Sequence, residues 1–285
     1  MGDNLVRATI DGVRIYAVDN TNMVEEACRR HNCWALAAAA LGRTMTGALL
    51  LSATFKENER LTIKIEGNGP IGTIMSDAGN MTARGYVENS QVELPLKNGK
   101  INVGAGVGKG KITVTRFVNM KTPVSASVEL VSGEIAEDIT NYFYVSEQIP
   151  TCVSLGVLVG KDGTVIHSGG FFVQAMPEAD NETLRILESN INELPSITVM
   201  LEECLTTEEI IYKICGADLH PVIHDTSDVF FKCSCSRNTV AKMLISLPKE
   251  DIQEIAEDEQ TEISCNFCSS RYLFTKKEIQ SIINY

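Results

Sequence analysis

Two cysteine pairs near the end of the chain are the residues best suited to chemistry. Cys233 and Cys235 stand one residue apart in FKCSCSRN, and Cys265 and Cys268 form a Cys-x-x-Cys in ISCNFCSS, with 29 residues between the pairs. Two ligand pairs brought together across an intervening hairpin or helix make a tetrahedral four-thiolate zinc site. In a reducing compartment such a pattern reads as metal before it reads as disulfide. Zinc bound to finger-sized peptides contributes on the order of 10–16 kcal/mol of apparent folding free energy. A segment of this size is marginal without a metal or a staple, so that term would dominate its folding. The Cys-x-Cys half is the unusual one. On an extended strand its two Cα atoms lie roughly 6.6 Å apart, at the outer edge of disulfide geometry. A bridge across it needs a bent backbone, and strained bridges are easily reversed. The pair suits a switch better than a permanent staple.

Other motifs carry less. Cys28, Cys33, Cys152, Cys204 and Cys215 lie singly in apolar or helical contexts. Cys28 and Cys33 would point about 140° apart on one helix, so all five read as small buried hydrophobes. His220 and His224 form H-x-x-x-H, but Pro221 falls between them and no acidic partner follows. Gly67–Gly72 matches G-x-G-x-x-G, but TIMSDAGN follows it and reads as strand, where a dinucleotide site requires a helix. It is read as a hairpin turn. GAGVGKGK (104–111) lacks phosphate-loop register and is read as a mobile glycine-rich connection. No Ser/His/Asp arrangement is arguable, and the chain is not expected to be an enzyme. KEDIQEIAEDEQTE (249–262) holds seven acids against one lysine and reads as the solvated face of a helix plus a turn, with Ile252 and Ile255 as its apolar edge.

The net charge of −12 and pI near 4.9 argue against a nucleic-acid partner, which needs clustered Lys and Arg, and against docking on anionic lipid. The opening MGDNLVRATIDG lacks the basic and apolar regions of a secretory signal. A cytoplasmic location is expected. Residues 34–55 imitate a membrane span but carry Arg43 at the middle. A central Arg costs roughly 2.5–3.5 kcal/mol on insertion, so the stretch is read as a buried helix.

The elements that would position the cysteines follow from the pattern. A helix is expected to start at Asn22, with Glu25 closing a capping box, and to run on into the apolar stretch with a break near Gly42. LTIKIE, GTIMSD, RGYVE, QVELPL, INVG, KITVTRF and SASVELVS read as short strands. A helix interrupts at 134–148, and 152–176 reads as a long hairpin closed at Lys161-Asp162-Gly163. From Pro177 acids crowd the sequence and strand signals vanish. Helices broken at Pro195 and near Thr206 fill 177–216, and 217–230 reads as a connector. The expected architecture is α+β and mostly antiparallel. It comprises a core domain over 1–177, a helical linker region over 178–230 and a four-Cys zinc-binding domain over 231–285.

The order of these segments resembles the 33 kDa chaperonin family of redox-switched heat-shock holdases. AAAALGRTMTGALLLSATFK, RLTIKIEGNGPIG, ARGYV, SGEIAEDITNYFYVSEQIPTCVSLGVLV and SGGFFVQAMPEA each look like a family signature, and FKCSCSRNTV and EISCNFCSSRYLF look like its redox segment. Ser234 stands where an acidic residue is common, and Ser168 where Ala is usual. The resemblance implies one zinc ion held by Cys233, Cys235, Cys265 and Cys268 in an inactive reduced state. It implies zinc release on oxidation, with Cys233–Cys235 and Cys265–Cys268 disulfides, and loosening of the region 178–230. Unfolding client proteins would then be captured without ATP, and oxidised chains would dimerise. The alternatives that the residues leave open are a thiol–disulfide oxidoreductase using Cys265 and Cys268, and a zinc-ribbon adaptor.

Overall fold

Residues 35–52 form one uninterrupted helix, and only Ala35 and Arg43 of its length escape full burial. The computed structural model describes residues 2–56, 58–118, 122–255 and 257–283. The chain divides into two compact units, Met1–Lys232 and Cys233–Tyr285. The first unit opens with the hairpin of β1 (Asn4–Ile10) and β2 (Val13–Asp19), joined by Asp11-Gly12 with both residues at positive φ, as a two-residue turn requires. Helices α1 (Thr21–His31) and α2 (Ala35–Ser52) follow, then β3 (Arg60–Gly67), β4 (Thr73–Gly79) and β5 (Thr82–Val87). Next come α3 (Val103–Val107), β6 (Gly110–Phe117), β7 (Val124–Glu129), and α4 (Ala136–Tyr142) with a π-helical turn over Phe143–Glu147. The long hairpin is β8 (Thr151–Val159) and β9 (Val165–Ala175). Then come α5 (Asn181–Glu193), α6 (Ile197–Glu202), α7 (Thr207–Cys215), β10 (Val222–Asp228) and β11 (Phe230–Phe231).

The architecture is α+β. One sheet has the order β10-β1-β2-β9-β8 and a second the order β11-β5-β4-β3-β6-β7. Pairing is antiparallel except for β11 beside β5. Period-two alternation splits the five-stranded sheet between two cores. Tyr16, Val18 and Phe172 face the cluster around α2, while Ile15, Ala17, Phe171 and Val173 face a second cluster with Leu187, Ile197, Met200, Ile210 and Ile214 of α5–α7. The first cluster also takes Leu61, Ile63, Ile65 and Ile74 from the six-stranded sheet, so α2 lies between the sheets. By length and composition α2 could cross a membrane, but 89% of it is buried within the protein. Its Arg43 reaches Glu134 at 2.5 Å.

Several expectations are corrected. The helical run breaks before α2 and not at Gly42: α1 ends where Asn32 turns left-handed (φ 49°). Gly42 lies mid-helix, where Val24 and Val157 pack close against it; a Cβ there would meet a methyl of each at 2.7 Å. The start of α1 is not boxed by Asn22 and Glu25. The carboxylate of Asp3 accepts from the backbone N–H groups of Asn22 (3.0 Å) and Met23 (2.6 Å), and Glu25 accepts from Val165 N–H at 2.7 Å. QVELPL (91–96) forms no strand, and INVG leads into α3. The expected connector 217–230 contains β10, which pairs with β1 from Asn4–Asp228 to Thr9–Val222. The two glycine-rich stretches hold each other. Gly69 N–H donates to Val107 O (2.9 Å), Ile71 N–H to Gly106 O (3.1 Å) and Asn68 N–H to Lys109 O (2.8 Å). A Cβ on Gly67 would lie 1.9 Å from Val107 O, so 104–111 is a seated element where a mobile connection was expected.

The second unit is small. It comprises α8 (Arg237–Ile245), α9 (Lys249–Ile255), the antiparallel hairpin of β12 (Gln260–Ser264) and β13 (Arg271–Thr275), and α10 (Lys276–Ile283). Its core among the described residues is Val240, Leu244, Ile252, Phe274 and Ile279, with Ile255 partly buried beside it.

Candidate metal centre

The four cysteines reach one point by two local devices. Ser264 ends β12, and the chain turns tightly before β13. Cys265 O accepts from the N–H groups of Cys268 (3.3 Å) and Ser269 (2.8 Å), and Cys265 N–H donates to Ser270 O (2.9 Å). Ser269 takes a left-handed φ of 56° to complete this turn. Cys265 and Cys268 thus sit on one knuckle. On the other side, Ser236 is extended and caps α8, its side chain accepting from Thr239 N–H at 3.2 Å. Cys233 and Cys235 occupy the two alternate positions just before that cap. Arg237 then ties α8 to the hairpin: it donates to Leu273 O, pairs with Glu278 at 2.7 Å and stacks 4.3 Å over the Phe274 ring.

All four Sγ atoms lie within 4.8 Å of one another. Cys233 and Cys265 are 3.8 Å apart at sulfur, and Cys235 and Cys268 are 3.2 Å apart. A tetrahedron with metal–sulfur bonds of about 2.3 Å has sulfur–sulfur edges of roughly 3.8 Å. The donor set and its spacing therefore fit a tetrahedral thiophilic ion, and the four sulfurs can hold a metal. His220 and His224 are not part of it; His224 Nε2 lies 2.7 Å from Thr9 Oγ1.

The electrostatics of the cluster are uneven. Burial pushes the Cys265 thiol up to about 12, against backbone N–H donors from Phe267 and Cys268. Burial also acts upward on Cys268. There the hydroxyl and backbone of Ser270, with the sulfurs of Cys235 and Cys233, outweigh it and bring the thiol down to about 7. Cys235 is raised, chiefly by burial. One sulfur of the cluster is thus poised to ionise first, and a cation among the four would draw off the remaining protons. Two residues of the site were not foreseen from the sequence. Tyr272 donates its hydroxyl to Cys235 Sγ at 3.1 Å, and this contact raises the phenol to about 12. Ser270 Oγ lies 3.2 Å from Cys268 Sγ. Alternation along β13 turns Tyr272 to the cysteine side, but only the pairing register reveals it.

A sequence model of the family described as Hsp33 protein matches residues 3–275. The chain belongs to the Hsp33 family. Two proteins named 33 kDa chaperonin, from Bacillus cereus (strain G9842) and Bacillus anthracis (strain A0248), are 44% and 43% identical to it, each over 99% of both chains. The crystal structure of the 33 kDa chaperonin (heat shock protein 33 homolog) of Thermotoga maritima superposes with a TM-score of 0.92. That alignment has 37% identity and covers 99% of this chain and 98% of the other. The Hsp33 fold therefore extends over both units, each aligned over nearly its whole length.

Proposed function

We propose that the chain is a redox-regulated, ATP-independent holdase chaperone of the cytoplasm. The observation that carries this reading is the gathering of four sulfurs within 4.8 Å in a unit whose core, among its described residues, is five apolar side chains. The names of its Hsp33 relatives support the chaperone part. Cys233, Cys235, Cys265 and Cys268 would hold one zinc ion in the reduced protein, and the ion's role there is to cross-link the two knuckles. Oxidation by peroxide takes two electrons from each cysteine pair, forms the Cys233–Cys235 and Cys265–Cys268 disulfides and reduces peroxide to water. All four thiolates are then lost as ligands. With every sulfur within reach of every other, mapping the bridges will decide between local and crossed pairing.

In this reading the region 178–230 is the part that yields. It covers the apolar face of the five-stranded sheet made by Val6, Ala8, Ile15, Ala17, Phe171 and Val173. Loosening α5–α7 would uncover that face together with their own Leu187, Ile197, Ile210 and Ile214. Such a surface would take unfolding polypeptide and, in its absence, a second oxidised copy.

The oxidoreductase alternative draws on the depressed thiol of Cys268. That sulfur is buried, while the more open Cys265 is the raised one. An attacking thiol needs the opposite arrangement. Zinc content and thiol count, before and after peroxide with mild heat, should show about one zinc lost per chain together with onset of aggregation suppression. If zinc leaves while a thermally unfolding client precipitates at the control rate, the holdase reading fails. Catalysed insulin reduction would favour the oxidoreductase instead.

A further inference from the structure

The sequence separates Cys28 and Cys33 by a helical angle that would turn them apart; the fold turns them together. Helix α1 ends with two closing bonds: Asn32 N–H donates to Arg29 O (3.4 Å), and Cys33 N–H donates to Cys28 O (3.0 Å). Asn32 between them is left-handed. This is the Schellman arrangement, which brings the side chain of the last-turn residue against that of the residue two past the end. In most helices this is an aliphatic contact. Here both positions are cysteines, joined through the backbone bond from Cys33 N–H to Cys28 O. The 3.0 Å bond sets a ceiling of roughly 6.9 Å on the separation of their Cα atoms, given ordinary bond lengths on either side. Disulfides tolerate about 7 Å.

We propose that Cys28 and Cys33 are a second oxidisable dithiol, located in the first unit and chemically independent of the four-cysteine centre. Cys28 is 3% exposed, whereas Cys33 is half-buried, so oxidant meets Cys33 first. Cys33 sulfur attacks one oxygen of hydrogen peroxide, the O–O bond breaks, and the products are a Cys33 sulfenic acid and water. Cys28 sulfur then attacks the sulfenic sulfur. The S–S bond forms, the S–O bond breaks, and the departing hydroxide takes the Cys28 proton and leaves as a second water. The neighbouring Cys33 thiol, burial and Glu25 all hold the Cys28 thiol well above its ordinary range, so this second step is the slow one. The bridge would lock the turn that carries Arg30, whose guanidinium sits 5.2 Å over the ring of Phe231. Phe231 lies two residues before Cys233 in the chain.

Peptide mapping tests this directly, because trypsin cuts after Arg29 and Arg30, between the two cysteines. Full-length protein is treated with peroxide, blocked with N-ethylmaleimide in denaturant and digested without reduction. The expected product is peptide 15–29 disulfide-linked to peptide 31–43, about 2 Da lighter than the two thiol peptides together and separated by dithiothreitol. In Cys28→Ser, Cys33 should progress to sulfinic acid under the same treatment. The proposal is overturned if both cysteines are recovered as maleimide adducts at peroxide levels that oxidise the four-cysteine centre. It is equally overturned if Cys33 is over-oxidised at the same rate whether or not Cys28 is present.

Discussion

At the level of single residues, the centre depends on more than its sulfurs. Tyr272 gives Cys235 a hydrogen bond at 3.1 Å, and a donor to a ligating thiolate lowers its charge cost and fixes its orientation. Loss of such partners typically weakens metal binding 10–100-fold. On the proposed zinc reading, Tyr272→Phe should therefore keep one ion per chain but lose it to a competing chelator at about tenfold lower chelator concentration. Unchanged competition would mean that the hydroxyl is incidental. The contrast between Tyr272 and the cysteines shows what a sequence can convey. Thiol spacing fixes chemistry because few other uses exist for two close pairs. A tyrosine four residues past a ligand has many uses, and only the register of β13 against β12 brings it to Cys235. Cys28 and Cys33 illustrate the same limit. A helical angle was the right measure only if the helix continued, and Asn32 ends it.

Elements are held by contacts that propensity does not record, and two predictions belong here. Gly42→Ala would raise the intrinsic helicity of α2 by about 1 kcal/mol. Its new methyl, however, would stand 2.7 Å from both Val24 and Val157, side chains with little rotamer freedom. Overpacking of this kind costs about 1–3 kcal/mol, so the variant should unfold at lower denaturant despite the better helix former; a gain in stability would show that the valines yield. For β10 the decisive contact is Arg7 with Asp225: Nε donates to Oδ1 at 2.8 Å, and a second guanidinium nitrogen pairs with Oδ2. Arg7 holds the Asp225 carboxyl below its ordinary value of 3.8. A carboxyl depressed in the folded state stabilises fully above its unfolded pKa, and the stabilisation fades as pH falls through the folded one. Both groups are partly exposed, so the contribution is about 0.5 kcal/mol after screening. Amide exchange in Val222–Asp228 should accelerate relative to β9 between pH 5 and pH 3, and Asp225→Asn should abolish that difference. The sequence revealed most strands of the sheets because their alternation is clean. It concealed β10 because an edge strand of mixed polarity, VIHDTSD, carries no apolar face, and it suggested a strand in QVELPL where nothing pairs. α5–α7 were legible through Pro195 and through Thr206, which makes a reciprocal cap with Glu209.

For the whole molecule, the two units rest on different physics. Met1–Lys232 has two apolar cores that share a sheet, so its folding is driven by burial. Cys233–Tyr285 has five buried apolar side chains among its described residues and a run of seven acids against one lysine in 249–262. A segment this small is marginal on such a core without a metal or a cross-link. Removing zinc with a strong chelator under reducing conditions should therefore act on one unit only. Limited proteolysis should cut first within 233–285 and leave a fragment near residues 1–232, while the far-UV signal of the sheets persists. Restoring zinc to the reduced protein should return protection, and restoring it after peroxide should not, because in the proposed switch the four sulfurs are then committed to bridges. The two arms separate metal from thiol state: a tail protected when apo and reduced would remove the metal as its organiser, and a tail recovered by zinc after oxidation would remove the sulfurs as its switch.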